Sequence, residues 1–158
     1  MSVAFTTEED LESAAAELPD RPISPHPNLV TREGLAALDA ALKAARGAYA
    51  AAKAGRDVAA DRTPLARAAR DLRYYAARRA SAQLIEPGPA DVVRFGGAVT
   101  LDRDDGRRQT FRIVGEDEAD PAKGAVSHVS PLARALMGKG VGDTALVAGG
   151  EVEVIAIG

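Results

Sequence analysis

The sequence contains no cysteine, only two histidines and few aromatic residues, and each shortage excludes a class of structure. Without cysteine the chain can form neither disulfides nor thiolate metal sites, and His26 and His128 are too few for a structural zinc site. Aromatic residues make up 4% of the chain and hydrophobic residues 46%, so a core must consist mainly of alanine, valine, leucine and isoleucine. That composition favours helices that pack closely through alanine.

Long hydrophobic runs are also missing. No apolar run approaches the roughly 20 residues that span a bilayer, and the first residues lack the charged start and apolar core of a signal peptide. We therefore expect a cytoplasmic protein without a membrane partner. The length of 158 residues accommodates one ordinary domain or two small ones.

Charge is distributed unevenly along the chain, although the formal net charge is only −3 at pH 7. Acidic residues exceed basic ones by five in residues 1–30 and by three in residues 87–158. Basic residues exceed acidic ones by five in residues 31–86. A basic middle between acidic ends is suited to contact phosphates or an acidic protein surface.

The residue pattern in the first third of the chain predicts an extension followed by a helix. Prolines are frequent between residues 19 and 27 and prevent regular structure there, so residues 1–28 are predicted to be an acidic, proline-rich extension. Thr31 can cap a helix that runs to about residue 54. Its apolar side chains recur at alternating spacings of three and four from Leu35 to Ala52, which is the pattern of a coiled-coil seam.

A second helix is predicted to pair with the first. Thr63 followed by Pro64 is typical of a helix start, with the threonine as N-cap, and the helical pattern continues towards Leu84. Because the connection between the two helices is short, they should fold back on each other. Residues 29–86 are therefore predicted to form an antiparallel helical hairpin.

A β-rich domain with one short helix is predicted for the last part of the chain, residues 90–158. Glycine-containing turns separate short apolar runs, and the Asp-Gly pair at residues 105–106 is a good hairpin turn. Ser130 and Pro131 predict the N-cap and first position of a helix that ends at Gly138. The strands are predicted at residues 92–101, 109–114, 125–129, 144–147 and 151–157.

Several strings in the chain resemble one family, the bacterial Gre transcript-cleavage factors. RIVGEDEADPAKG and SPLARALMGKGVGD resemble the family's C-terminal signature, and the likeness continues into VRFGGAVTL and the closing GGEVEVIAIG. VTREGLAALDAAL and ARRASAQLIEP resemble the beginning and end of the Gre coiled coil. The resemblance implies a two-part α+β molecule, with the hairpin followed by an FKBP-like globular domain.

The resemblance also implies a partner and a role for the hairpin tip. Gre factors insert their hairpin into the secondary channel of bacterial RNA polymerase and dock the globular domain on the channel rim. Acidic residues at the tip help to hold a Mg²⁺ ion in the polymerase active centre, where it activates water to cut backtracked RNA. The matching residues here are Asp57 and Asp61, which could equally be solvated turn acids. We expect no metal or cofactor to be bound by the chain alone.

Two further sets of residues are carried over by the resemblance. The basic patch of the Gre hairpin, which meets the 3′ segment of the nascent RNA, corresponds to Arg67, Arg70 and Arg73 in the second helix. The face that docks on the polymerase rim corresponds to the acidic loop at residues 116–120 and to the turn at Ser130 and Pro131. Its contact residues are predicted to be Asp120, Pro121, Ser130 and Pro131, although the same residues could simply cap and turn the chain.

The resemblance therefore implies a monomeric RNA polymerase-binding elongation factor that is not an enzyme by itself. The tip lacks the Glu that follows the Asp in the family motif, and the hairpin is shorter than in typical members. An alternative is a regulator that occupies the channel without cleavage activity, similar to the regulator of nucleoside diphosphate kinase. A peptidyl-prolyl isomerase is disfavoured, since an aromatic-lined pocket would have only Phe95 and Phe111 to draw on.

Overall fold

The computed structural model describes residues 18–55 and 62–158. Contacts divide the chain into two units that do not follow its order. The first unit contains Met1–Pro25 and Leu38–Ser81, and the second contains His26–Ala37 and Ala82–Gly158. Whether residues 90–158 fold independently, as the sequence suggests, stays a prediction.

Two long helices dominate the first unit, as predicted. Helix α1 spans Arg32–Ala54 and helix α2 spans Thr63–Ser81. The predicted seam of α1 is confirmed, because Leu38, Leu42 and Ala45 are buried while the residues between them are exposed or, at Ala41, partly buried. At 1.5 Å per residue the 23 residues of α1 extend about 35 Å. No helix in the part of the chain that the structure describes is long and apolar enough to cross a membrane.

The two helices are antiparallel. Arg79, near the end of α2, donates from Nε to Asp39 Oδ1 in the early part of α1 at 2.5 Å. This ion pair places the end of α2 beside the beginning of α1, and only eight residues join the other two ends, so the helices run in opposite directions. The predicted helical hairpin is therefore confirmed for the described residues.

The predicted end of α2 near Leu84 is wrong by three residues. Strand β1, Leu29–Val30, pairs in parallel with strand β2, Gln83–Leu84. The Gln83 amide donates to the Asn28 carbonyl at 2.8 Å, and the Ile85 amide donates to the Val30 carbonyl at 3.0 Å. The backbone leaves the helix after Ser81 because these groups take strand partners, an outcome that local helix propensity does not encode.

Five strands form a sheet in the second unit: β3 Ala98–Arg103, β4 Arg108–Val114, β5 Ala125–Ser127, β6 Thr144–Val147 and β7 Gly150–Ile157. Their spatial order is β5-β4-β3-β7-β6. Neighbouring strands are antiparallel, except that β4 and β5 are parallel. Helix α3, Pro131–Leu136, follows β5. The α+β class with one short helix in the β-rich domain is thus confirmed.

Side chains from one face of the sheet and from α3 form the core of this unit. Leu101, Ile113 and Val154 are 0% exposed, and Leu136 of α3 packs with them at 1%. Phe95 is the aromatic residue of this cluster. The other nine buried residues of the cluster are aliphatic, as the composition predicted.

Two predicted strands are longer than the strands observed. The first begins at Ala98 and not at residue 92, because residues 95–96 form a turn in which Gly96 has a φ of +83°. The strand predicted at residues 125–129 ends at Ser127, and His128 lies in the turn that follows. In both places a turn interrupts an apolar run, so the apolar pattern overstates the length of the strand.

Candidate functional site

The predicted tip acids lie outside the described residues. Asp57 and Asp61 fall between the end of α1 and the start of α2. Their role as ligands of a polymerase-bound Mg²⁺ ion stays a prediction.

The first predicted docking turn, residues 120–124, immediately precedes β5. The backbone of Asp120 closes it: its amide donates to the Ala125 carbonyl at 2.8 Å, and its carbonyl accepts from Lys123 at 2.9 Å. Pro121 begins a 3₁₀ turn that ends at Gly124, whose φ of +78° favours glycine. The Asp120 side chain is 44% exposed and Pro121 is exposed, so both are available to a partner.

The second predicted docking turn immediately follows β5. Ser130 is the N-cap of α3, and its Oγ accepts a hydrogen bond from the Ala133 amide at 3.2 Å. Pro131 occupies the first helical position and is exposed. The predicted cap and helix start are confirmed. The Ser-Pro pair therefore has a structural role whether or not it also contacts a partner.

The structure brings the two turns to the same edge of the sheet. Strand β5 lies at one end of the strand order and has only three residues, so about 10 Å of strand separates the turns. Asp120, Pro121, Ser130 and Pro131 thus flank a single short edge strand. Exposed residues such as Pro121 and Pro131, in turns at the two ends of one strand, are suitably placed to contact a protein partner.

Replacing the cap serine, Ser130→Ala, should destabilise the protein by about 1 kcal/mol, because the Ala133 amide loses its acceptor. Chemical denaturation of both proteins would measure the change. Ser130→Asp, which keeps an acceptor at the cap, should restore most of the loss. Equal stability of the alanine variant and the wild type would contradict the cap.

A carboxylate that sequence analysis missed holds the loop after β4 against residues 29–34. Glu118 Oε2 accepts from the backbone amides of Thr31 and Gly115, each at 3.2 Å, and Oε1 accepts from the Thr31 hydroxyl. Thr31 in turn caps α1, because its Oγ1 accepts from the Gly34 amide at 3.0 Å. The threonine cap was predictable from the sequence, but its long-range carboxylate partner left no local signal.

The predicted RNA-facing arginines occupy one side of α2. Residues three apart are neighbours on a helix surface, so Arg67, Arg70 and Arg73 fall within an arc of about 120°. Arg67 is exposed and makes no ion pair within residues 18–55 and 62–158. Nε of Arg70 is buried and has no hydrogen-bond partner among those residues. Arg73, by contrast, is already paired.

The partner of Arg73 is the segment before α1, which sequence analysis predicted only as an extension. Arg73 Nε donates to Asp20 Oδ1 at 2.5 Å. Arg21 donates to Asp71 Oδ1 at 3.2 Å, and its guanidinium carbon lies 3.8 Å from the centroid of the Tyr74 ring. A hydrogen bond with Tyr75 and the ion pair with Asp71 raise the pKa of Arg21, against the opposing effect of partial burial.

The C-terminal part of the chain resembles known proteins. The family described as "Transcription elongation factor, GreA/GreB, C-term" matches residues 88–158. Transcription elongation factor GreA of Desulfovibrio desulfuricans is 42% identical over 93 residues, which cover 57% of this chain and 56% of that protein. GreA of Hyphomonas neptunium is 58% identical over 57 residues, 35% of this chain and 36% of that protein.

The solved structure of GreA factor homolog 1 (Gfh1) from Thermus thermophilus aligns with 23% identity and a TM-score of 0.40, covering 84% of this chain and 99% of that chain. The chain spans about half the length of the curated relatives that it matches. The matched residues contain the whole five-stranded sheet, α3 and both turns that flank β5. Residues 88–158 therefore match the C-terminal domain of the GreA/GreB family of transcription elongation factors.

Proposed function

We propose that the protein is a transcription elongation factor that binds bacterial RNA polymerase and inserts the α1–α2 hairpin into the secondary channel. The observation that carries the proposal is the pair of exposed turns at the ends of edge strand β5, within a GreA/GreB C-terminal domain. These turns would contact the rim of the channel. The antiparallel helices would supply an arm long enough to reach inward, since α1 alone extends about 35 Å.

The docking surface can be tested with purified polymerase. If these residues are hot spots of the docking surface, the double variant Asp120→Asn/Pro121→Ala should weaken binding by about 10-fold or more, because the loss of a hot-spot residue costs about 1–2 kcal/mol or more. Neither change touches the core of the domain. Titration of the polymerase with a labelled factor would measure the dissociation constant.

A matched control is available on the other edge of the sheet. Leu146 lies on the edge strand β6 and is 81% exposed. Leu146→Ala should leave polymerase affinity unchanged. Equal affinities of the wild type and the Asp120/Pro121 variant would overturn the assignment of the docking surface.

The hairpin would act on the RNA and not as an enzyme of its own. Arg67, Arg70 and Arg73 would face the phosphates of the 3′ segment of the nascent transcript, since guanidinium groups pair well with phosphate oxygens. Asp57 and Asp61 would lend carboxylate ligands to a Mg²⁺ ion in the polymerase active centre, and the polymerase would perform the cleavage of backtracked RNA.

A second candidate function differs at the tip only. The connection between α1 and α2 offers two aspartates but no glutamate. A factor with this tip could occupy the channel and regulate the polymerase without stimulating cleavage, like the regulator of nucleoside diphosphate kinase. Cleavage by a backtracked elongation complex, with and without the factor, separates the two candidates.

A further inference from the structure

Leu18, Asp20 and Arg21, in the described part of the segment that precedes the hairpin, contact α2. Residues 1–20 contain six acidic residues and no basic ones. In the described part of this segment, Asp20 pairs with Arg73, and Arg21 pairs with Asp71 while lying over the Tyr74 ring. The contacts are therefore specific and not a diffuse attraction between an acidic arm and a basic helix.

The contacts on Arg73 are those that a phosphate group would make. Its Nε donates to the Asp20 carboxylate at 2.5 Å, and a terminal amino group donates to the Leu18 carbonyl at 3.4 Å. Two oxygen acceptors thus share one guanidinium, in the way that two phosphate oxygens do. The Asp20 side chain is 69% exposed, so it can leave this position without opening a core.

We propose that residues 18–25 are an intramolecular competitor of single-stranded RNA for the face of α2 formed by Arg67, Arg70, Arg73 and Tyr74. The RNA phosphates would take the place of Asp20 on Arg73. The inference rests on the proposed function, because it gives these arginines an RNA ligand. It adds that residues 18–25 must leave α2 before the RNA can bind there.

The chemistry of the face favours RNA over an acidic protein. When Arg21 leaves Tyr74, it uncovers an aromatic ring beside three arginines. Bases of single-stranded RNA stack on such rings while arginines follow the backbone. An acidic peptide would use the arginines but would gain nothing from the ring.

Fluorescence anisotropy of a labelled single-stranded RNA, titrated with the full-length protein at one fixed salt concentration, tests the proposal. Asp20→Asn removes the competing carboxylate and should tighten RNA binding about two- to five-fold, the range that one exposed ion pair supports. The matched control is Asp39→Asn, which makes the same change of charge at an ion pair of equal length with Arg79. The control should bind RNA like the wild type.

A variant of Arg73 tests whether this residue is the group for which Asp20 and the RNA compete. Arg73→Gln should weaken RNA binding, and in that background Asp20→Asn should have no further effect beyond that of Asp39→Asn. Equal gains from Asp20→Asn and Asp39→Asn would overturn the proposal, since they would reflect net charge alone. Absence of RNA binding by every variant would overturn it as well, and so would a labelled polyglutamate that binds as tightly as the RNA.

The outcome is separable from that of the proposed function, because this experiment contains no polymerase. If the factor binds polymerase but Asp20→Asn leaves RNA affinity unchanged, only the competition is wrong. If Asp20→Asn tightens RNA binding but the factor does not bind polymerase, only the polymerase role is wrong.

Discussion

Replacing both tip aspartates, Asp57→Asn/Asp61→Asn, should reduce stimulated cleavage of backtracked RNA by about 100-fold or more, if the factor donates metal ligands. Even residues that merely support a metal ligand cost about 10- to 100-fold when they are changed, so loss of the ligands themselves should cost at least as much. Asparagine keeps the size of the side chain and removes the charge that Mg²⁺ needs. Cleavage rates in a purified backtracked complex with Mg²⁺ would measure the change.

The control for charge is a variant that loses two carboxylates away from the tip and from the proposed RNA face, Asp39→Asn/Glu86→Gln. It should retain most of the stimulation. If the wild type binds the complex without accelerating cleavage, the protein is a channel-occupying regulator and the second candidate function is correct. If the wild type accelerates cleavage and the tip variant does so equally, the aspartates are solvated turn acids.

The helical hairpin and the strands of the C-terminal domain could be predicted from the sequence because they depend on local periodicity. The seam of α1 is encoded by its 3-4 spacing, and the start of α3 by one serine followed by one proline. The end of α2 could not be predicted in this way. It depends on Gln83 pairing with a strand more than fifty residues earlier, and no local pattern specifies such a partner.

In the candidate site, too, local features could be predicted from the sequence and long-range contacts could not. The turns around β5 could be located because proline, glycine and serine specify turns locally. Two contacts were missed, the Glu118 carboxylate on Thr31 and the Asp20 carboxylate on Arg73. Each joins residues at least fifty positions apart, and an acidic side chain gives no sequence signal that distinguishes a solvated position from a paired one.

Two glycines in α1 should respond to the same substitution with opposite signs. Alanine normally stabilises a helix interior by about 0.5–1 kcal/mol relative to glycine. A Cβ at Gly47 would have nothing within 4 Å, so Gly47→Ala should raise the free energy of unfolding by about that amount. A Cβ at Gly34 would lie 2.1 Å from Cδ of Glu118, so Gly34→Ala must displace the carboxylate.

Displacing Glu118 removes the acceptor of the Thr31 and Gly115 amides, and a buried donor without a partner costs about 1–3 kcal/mol. Two such losses exceed the helix gain, so Gly34→Ala should lower the free energy of unfolding by about 2–4 kcal/mol. Chemical denaturation of the two alanine variants and the wild type would measure both changes. Stabilisation by Gly34→Ala similar to that of Gly47→Ala would show that Glu118 does not hold residues 29–34 to the loop after β4.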